Sequence, residues 1–215
     1  MILAAQEQAL RTNAIKANID KQPVSPKCRL CGEKSETVMH LISGCKKLAG
    51  GQYKRRHYKV AKRVHWKLCK KYGMKCSDKW YEHIPEEVTE NSEVELYWDL
   101  TIRTDRTVKY NRPDVILVDK ATRKWIMIDI AVPSDFNVVR TEDWKVEKYQ
   151  DLAFEIRKLH QVETRIIPVV IGALGTVPKR LSRSIAVWGI SDIIASIQMT
   201  ALLGTARILR RAMNL

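Results

Sequence analysis

Long apolar runs are missing from this chain. The longest, Ile166 to Leu174, has nine residues and includes a proline and a glycine, whereas a membrane-spanning helix needs about 20. The N-terminus, MILAAQEQALRTN, lacks a basic start, a sustained apolar stretch and a clear cleavage site, so no secretory signal is expected. Cysteines are few and odd in number, five in all. Three of them cluster with a histidine, which argues against an extracellular disulfide framework and for metal binding in a reducing compartment. Internal repeats and low-complexity segments are also absent. The expected setting is intracellular, nuclear or cytoplasmic, with no membrane partner.

Acid is missing from one segment. Residues 46–75 carry 12 Lys/Arg and no Asp or Glu, out of a net charge of +14 for the whole chain. The other 185 residues hold 26 basic and 24 acidic side chains, so the surplus is almost entirely local. Such a block implies a polyanionic partner, nucleic acid first. At 215 residues and 45% hydrophobic content, the chain can bury one sizeable core, with room for a small satellite.

Four regions follow from the pattern. Residues 1–26 read as a short helix over 1–22 and a linker around Pro23 and Pro26. Residues 27–47 hold the Cys/His cluster. Residues 48–92 form a basic linker, with a helix over 53–73 whose apolar stripe is Val60, Val64 and Leu68, with Ala61 and Cys69 alongside. Residues 93–215 form the larger unit. It has predicted strands over 95–103, 113–118 and 124–132, with the last two in a hairpin around Asp119 to Thr122. A helix over 142–160, a buried strand over 164–173, and helices near 178–188 and over 191–213 complete it. The fold class is α/β with a mixed sheet.

Cys28-x2-Cys31-x8-His40-x4-Cys45 offers four ligands within 18 residues. Zn2+ prefers four N/S donors, and a Cys3His set is normally closed and structural. The metal would largely fold this segment, which is too short for its own core. Cys69 and Cys76 read as ordinary thiols. In the basic helix, Lys54, Arg55, Arg56, Lys59, Lys62, Arg63, Lys67, Lys70 and Lys71 are candidate phosphate contacts. Tyr53, His57, Tyr58 and Trp66 add rings that can stack on unpaired bases. The plainer alternative is a solvated helix.

Asp114, after Arg112 and Pro113, opens one predicted strand. Asp129 interrupts the apolar run of the next, with 14 residues between the two aspartates. A buried lone carboxylate is costly unless paired or bound to a cation. Two carboxylates on neighbouring strands can share Mg2+, which polarises a phosphate and helps ionise water. Lys145 and Lys148 share a helix face and could steady charge on the phosphate or the attacking hydroxide. The alternative for Asp129 is an ion pair with Arg112 or a helix lysine.

These residues resemble the C-terminal part of R2-like non-LTR retrotransposon polyproteins. There, a CCHC zinc knuckle and a restriction-like endonuclease of the PD-(D/E)xK superfamily follow a reverse transcriptase. CRLCGEKSETVMHLISGC resembles the knuckle, and YKRRH at 53–57 the linker. RPDVILVD, IDIAVPSD and the Lys145-x-x-Lys148-Tyr149-x-x-Leu152 pattern resemble the nuclease blocks in order, and IIPVVIGALG and TALLGTARILRR the closing segments. The likeness spans roughly residues 3–213. It implies a PD-(D/E)xK restriction-endonuclease-like mixed sheet flanked by helices, preceded by a small zinc knuckle and a basic helix. It also implies an Mg2+-dependent endonuclease that nicks target DNA so that the freed 3′ hydroxyl primes reverse transcription of element RNA. Asp114 and Asp129 would be metal ligands, Lys148 the relocated catalytic lysine, Lys145 an alternative or auxiliary, and Tyr149 a support. Cys28, Cys31, His40 and Cys45 would hold zinc. Where the wider superfamily has a lysine two residues after the second acid, this chain has Ala131, so the lysine must come from the helix. No polymerase core is present, so the expectation is a truncated or domesticated fragment that works beside a separate reverse transcriptase. If cleavage is lost, nucleic-acid binding through residues 27–75 remains.

Overall fold

The computed structural model describes residues 1–186 and 188–214. Its centre is one five-stranded sheet in sequence order: β1 (Val88–Glu90), β2 (Val94–Trp98), β3 (Val115–Asp119), β4 (Lys124–Ala131) and β5 (Glu163–Val170). The first four strands run antiparallel to their neighbours, and β5 lies parallel to β4. The sheet is therefore mixed, as the sequence predicts. The β3–β4 hairpin forms with Val115 opposite Ile128 and Asp119 opposite Lys124. Its turn is held by the Thr122 N–H donating to Asp119 Oδ1 at 2.9 Å.

Two strand expectations need correction. β2 stops at Trp98 rather than near Arg103, because Asp99 takes φ 46° and turns the chain out of the sheet. β1, inside the acidic stretch, adds an edge strand that the polar sequence does not announce.

Alternation gives the sheet two covered faces, which is why its central strands read as nearly continuous apolar runs. Val115, Leu117, Ile126, Ile128 and Ile130 face α4 (Lys54–Lys71), α7 (Lys179–Ala186) and α8 (Ile193–Met213). Ile116, Val118 and Met127 face α6 (Gln150–His160) through Leu152, Ala153 and Ile156. The predicted apolar stripe of α4 is the buried one: Val60, Val64 and Leu68, with Ala61 and Cys69, are all at most 1% exposed. Each large aliphatic in it contributes about 1.5–3 kcal/mol.

The helix expected over 142–160 is two helices, α5 (Val138–Lys148) and α6, which meet at Tyr149 with φ −105° and ψ 9°. The helix expected near 178–188 is α7, with Val187 outside the described residues. The N-terminal helix is also divided, into α1 (Ile2–Gln6) and α2 (Asn13–Asn18), with Gln8 at φ 55° between them. The short α3 (Lys46–Leu48) follows the cysteine cluster.

α8 is long and apolar enough, by length and composition, to cross a membrane. In this fold its Ile193, Ile197 and Ala201 enter the sheet core, while Ile208, Leu209 and Ala212 pack on Val38, Leu41, Ile42 and Leu48 of the cysteine-rich segment. α8 thus joins the two parts. α4 and α8 cross tightly: a Cβ on Gly204 would lie 2.7 Å from Arg56 Cγ.

Candidate active site and metal centre

The four donors of the Cys/His cluster lie within 4.8 Å of one another. Cys28 Sγ is 3.9 Å from Cys45 Sγ, and Cys31 Sγ is 3.4 Å from His40 Nε2. A tetrahedral zinc with its usual bond lengths spaces such donors at roughly 3.5–3.8 Å, so the set fits that ion and can hold it. Local sequence explains the convergence. Gly32 takes φ 71° after the Cys-x-x-Cys turn, and its N–H donates to the Cys28 carbonyl at 2.8 Å. The Leu30 N–H points at Cys28 Sγ, 3.4 Å away. Backbone N–H groups of Glu33 and Lys34 draw the Cys31 thiol down to about 6, towards the thiolate that a metal needs.

Two contacts fasten this segment. Glu36, fully buried, accepts from Arg29 Nη2 at 2.7 Å and from the Asn13 and Arg29 backbone N–H groups. The Tyr53 hydroxyl donates to the Leu41 carbonyl at 2.9 Å and accepts from the Cys45 N–H at 3.0 Å.

The two aspartates lie on neighbouring strands. Asp114 directly precedes Val115, whose partner on β4 is Ile128, so it abuts the Asp129 end of that strand. Its Oδ2 accepts from the Ile130 N–H at 2.6 Å and from His57 Nε2 at 3.1 Å. His57 Nε2 also lies 3.1 Å from the Ile130 carbonyl. Both neighbours are acceptors, so Nε2 carries the proton. Burial alone would raise Asp114, but the hydrogen bond and charge of His57, the Ile130 N–H and Lys145 outweigh it and hold the carboxyl below its ordinary range. For His57, burial favours the neutral ring, and the bond and charge of Asp114 more than reverse that.

Asp129 is 2% exposed. Its Oδ1 accepts from the Tyr149 hydroxyl at 2.5 Å and lies 3.6 Å from Lys148 Nζ, while Oδ2 pairs with Lys145. Lys148 also donates to the Tyr149 oxygen at 2.8 Å, and its ammonium sits 5.4 Å or less from the Tyr110, Trp144 and Tyr149 ring centroids. Burial, then the Asp129 charge, keeps the Tyr149 phenol protonated far above its ordinary value. The break between α5 and α6 is what lets Tyr149 turn inward. Arg112, the other partner considered for Asp129, pairs with Asp99 at 2.8 Å. Asp114, His57 and Lys145 face a cleft of about 720 Å³ between α4 and α5, along with Lys54, Trp98 and Trp144.

The structure thus brings Asp114, Asp129, Lys145, Lys148 and Tyr149 into one constellation. It adds His57, which the sequence suggested only as a stacking ring. The signal for His57 lay in its position one helical turn before Ala61 on the buried side of α4, but nothing local tied it to Asp114.

The nine basic residues of α4 do not form one surface. Arg56 is 3% exposed and donates to Thr205 Oγ1 at 2.8 Å and to the Val132 carbonyl at 3.0 Å. Lys62, Arg63, Lys67 and Lys70 contact the Tyr81 carbonyl, Thr200, Asp192 and Asp78 respectively. Lys71 lies over the Tyr72 ring, and Lys54 lines the cleft that Asp114 faces. Arg55 and Lys59 line a different groove of about 500 Å³ with Trp80 and with Arg207, Arg210 and Arg211 of α8. In the sequence those three arginines read only as the C-terminal charge of a helix.

No protein-family model matches the sequence, and no curated protein matches it. Among solved structures, an N-terminal domain of a reptarenavirus L protein is similar at 14% identity with a TM-score of 0.37, over 97% of this chain and 82% of that one.

Proposed function

We propose that the chain is a DNA endonuclease module of the R2-like, restriction-endonuclease-like kind, with a structural zinc knuckle and a Mg2+-assisted site at Asp114 and Asp129. The observation that carries this reading is that Asp129 is held by Lys145, Lys148 and Tyr149 while Asp114, at the end of the adjoining strand, lies near enough to Lys145 to feel its charge. The donors are hard oxygens beside a cleft, which suits Mg2+. When bound, the ion would polarise the scissile phosphate and lower the pKa of an attacking water.

The chain's own residues do the rest. Tyr149 fixes the Asp129 carboxyl and presents Lys148. Lys148 stabilises charge developing on the phosphate. Lys145, paired with Asp129 and facing the cleft, neutralises that acid. His57 orients Asp114. Arg55, Lys59, Arg207, Arg210 and Arg211 supply a carboxylate-free groove for a phosphate backbone, and Trp144, 47% exposed, offers a stacking ring by the cleft. A nick made here would leave the primer end from which a polymerase copies element RNA.

The test is conversion of supercoiled plasmid to open circle with Mg2+. Wild type is expected to nick, and Asp114→Ala and Asp129→Ala are expected not to. Equal absence of nicking by all three, on several DNAs, would sink the endonuclease reading.

A second reading is a zinc-dependent nucleic-acid-binding protein without cleavage. It is favoured by the engagement of both amines with Asp129. It requires binding that weakens steeply with salt and no metal-dependent cutting.

A further inference from the structure

A second group of metal-type donors lies behind α4, away from the knuckle. His65, Cys69 and His83 are at most 4% exposed. His65 Nδ1 lies 2.9 Å from His83 Nε2 and 3.5 Å from Cys69 Sγ, and the three ligand atoms are within 4.8 Å of one another. His65 and Cys69 are four residues apart on α4, so their side chains leave the same helix face. His83 comes from residues 72–87, a stretch between α4 and β1 with neither helix nor strand. Two imidazole nitrogens and a sulfur from separate segments thus converge in a buried setting.

The spacing suits a tetrahedral ion. Zinc with ordinary bonds places two ring nitrogens roughly 3.3 Å apart, and nitrogen and sulfur roughly 3.5 Å apart. The histidine pair needs to open by only a few tenths of an ångström. Cys76 lies outside that group of donor atoms, but it is half-buried against the same core as Cys69 and lines the cavity that holds His83, so it must swing inward to complete the set. The four residues read as His-x3-Cys-x6-Cys-x6-His along the chain.

We propose that His65, Cys69 and His83 form a second structural zinc site, with Cys76 as its fourth ligand. The ion would pin the irregular segment 72–87 to α4 and hold Trp80 in place at the wall of the basic groove. That segment otherwise relies on scattered contacts: Trp66 Nε1 donating to the Ser77 carbonyl at 2.8 Å, Lys62 to the Tyr81 carbonyl at 2.9 Å, and the Arg63 guanidinium over the Trp80 ring. The competing arrangement is a metal-free hydrogen bond between the two imidazoles.

Metal stoichiometry separates them. The full chain, purified with zinc and desalted, is expected to carry two zinc ions, while His83→Gln and Cys69→Ser each carry one. Cys76→Ser is expected to give up its second zinc to a chelator at least tenfold faster than wild type, and an unchanged rate would remove Cys76 from the ligand set. A single zinc in wild type, unchanged by His83→Gln, overturns the site. Should either variant fail to fold, cobalt titration of the wild type decides. Thiolate charge-transfer absorbance should grow through two equivalents, and saturation at one equivalent overturns the proposal.

Discussion

Asp129 and Asp114 are both acids at the end of a hairpin, yet their settings differ. Asp129 is enclosed by two amines and a phenol, whereas Asp114 shares its Oδ2 with His57 and a backbone N–H and faces the cleft. Lys148→Ala should therefore lower nicking by roughly 100-fold or more, and it should also lower the melting temperature because it takes one of two amines from the buried Asp129; plasmid assays run below that temperature would show the loss of nicking. Tyr149→Phe should keep the ring's packing and lose the hydroxyl that joins Lys148 to Asp129, so the turnover rate should fall with little change in DNA affinity. The His57–Asp114 pair predicts a pH dependence. His57 is raised above its ordinary 6.5, so its stabilisation is full below 6.5 and fades as pH climbs through the raised value. Asp114 is depressed below its ordinary 3.8, so its contribution is full above 3.8 and fades as acid carries pH through the lowered value. The stability gap between wild type and His57→Gln should be widest between these limits and shrink on the alkaline side. Melting curves across pH would test this, and a constant gap would refute it.

At the level of elements, α4 is the organising piece. One side buries Val60, Val64 and Leu68, another presents Arg55 and Lys59 to the groove shared with α8, and its first turns bring His57 to Asp114. The α4–α8 crossing depends on Gly204, where any side chain meets the buried Arg56. Gly204→Ala is expected to cost about 1–3 kcal/mol through overpacking, read from denaturant midpoints. A midpoint equal to wild type would show that Arg56 can move aside freely. Salt dependence separates surface cations from internal ones. Replacing Arg55 together with Arg210 by Gln should flatten the dependence of DNA affinity on salt by about two counterions. Replacing Lys67, which already contacts Asp192, should change it less.

Taken whole, the molecule has its cysteine-rich segment docked on the last turns of α8 and tied to the start of α4 by Tyr53. Stripping zinc should therefore do more than loosen residues 27–47: it should lower the melting temperature of the sheet-containing part as well. Differential scanning before and after chelation would test this, with an unshifted main transition counting against the coupling. Much of this was legible in the residues alone. Ligand spacing announced the metal set, period-2 and period-3.6 apolar patterns announced the hairpin and the buried stripe of α4, and the uneven charge marked the basic segment, because each of these signals is local. Tertiary structure alone decided which cations face solvent, that Arg56 is internal, that the helix over 142–160 breaks so that Tyr149 can reach Asp129, and that His57, His65 and His83 find partners far along the chain. Those outcomes depend on packing between segments separated by tens of residues, and a side chain's identity does not state which distant surface will cover it.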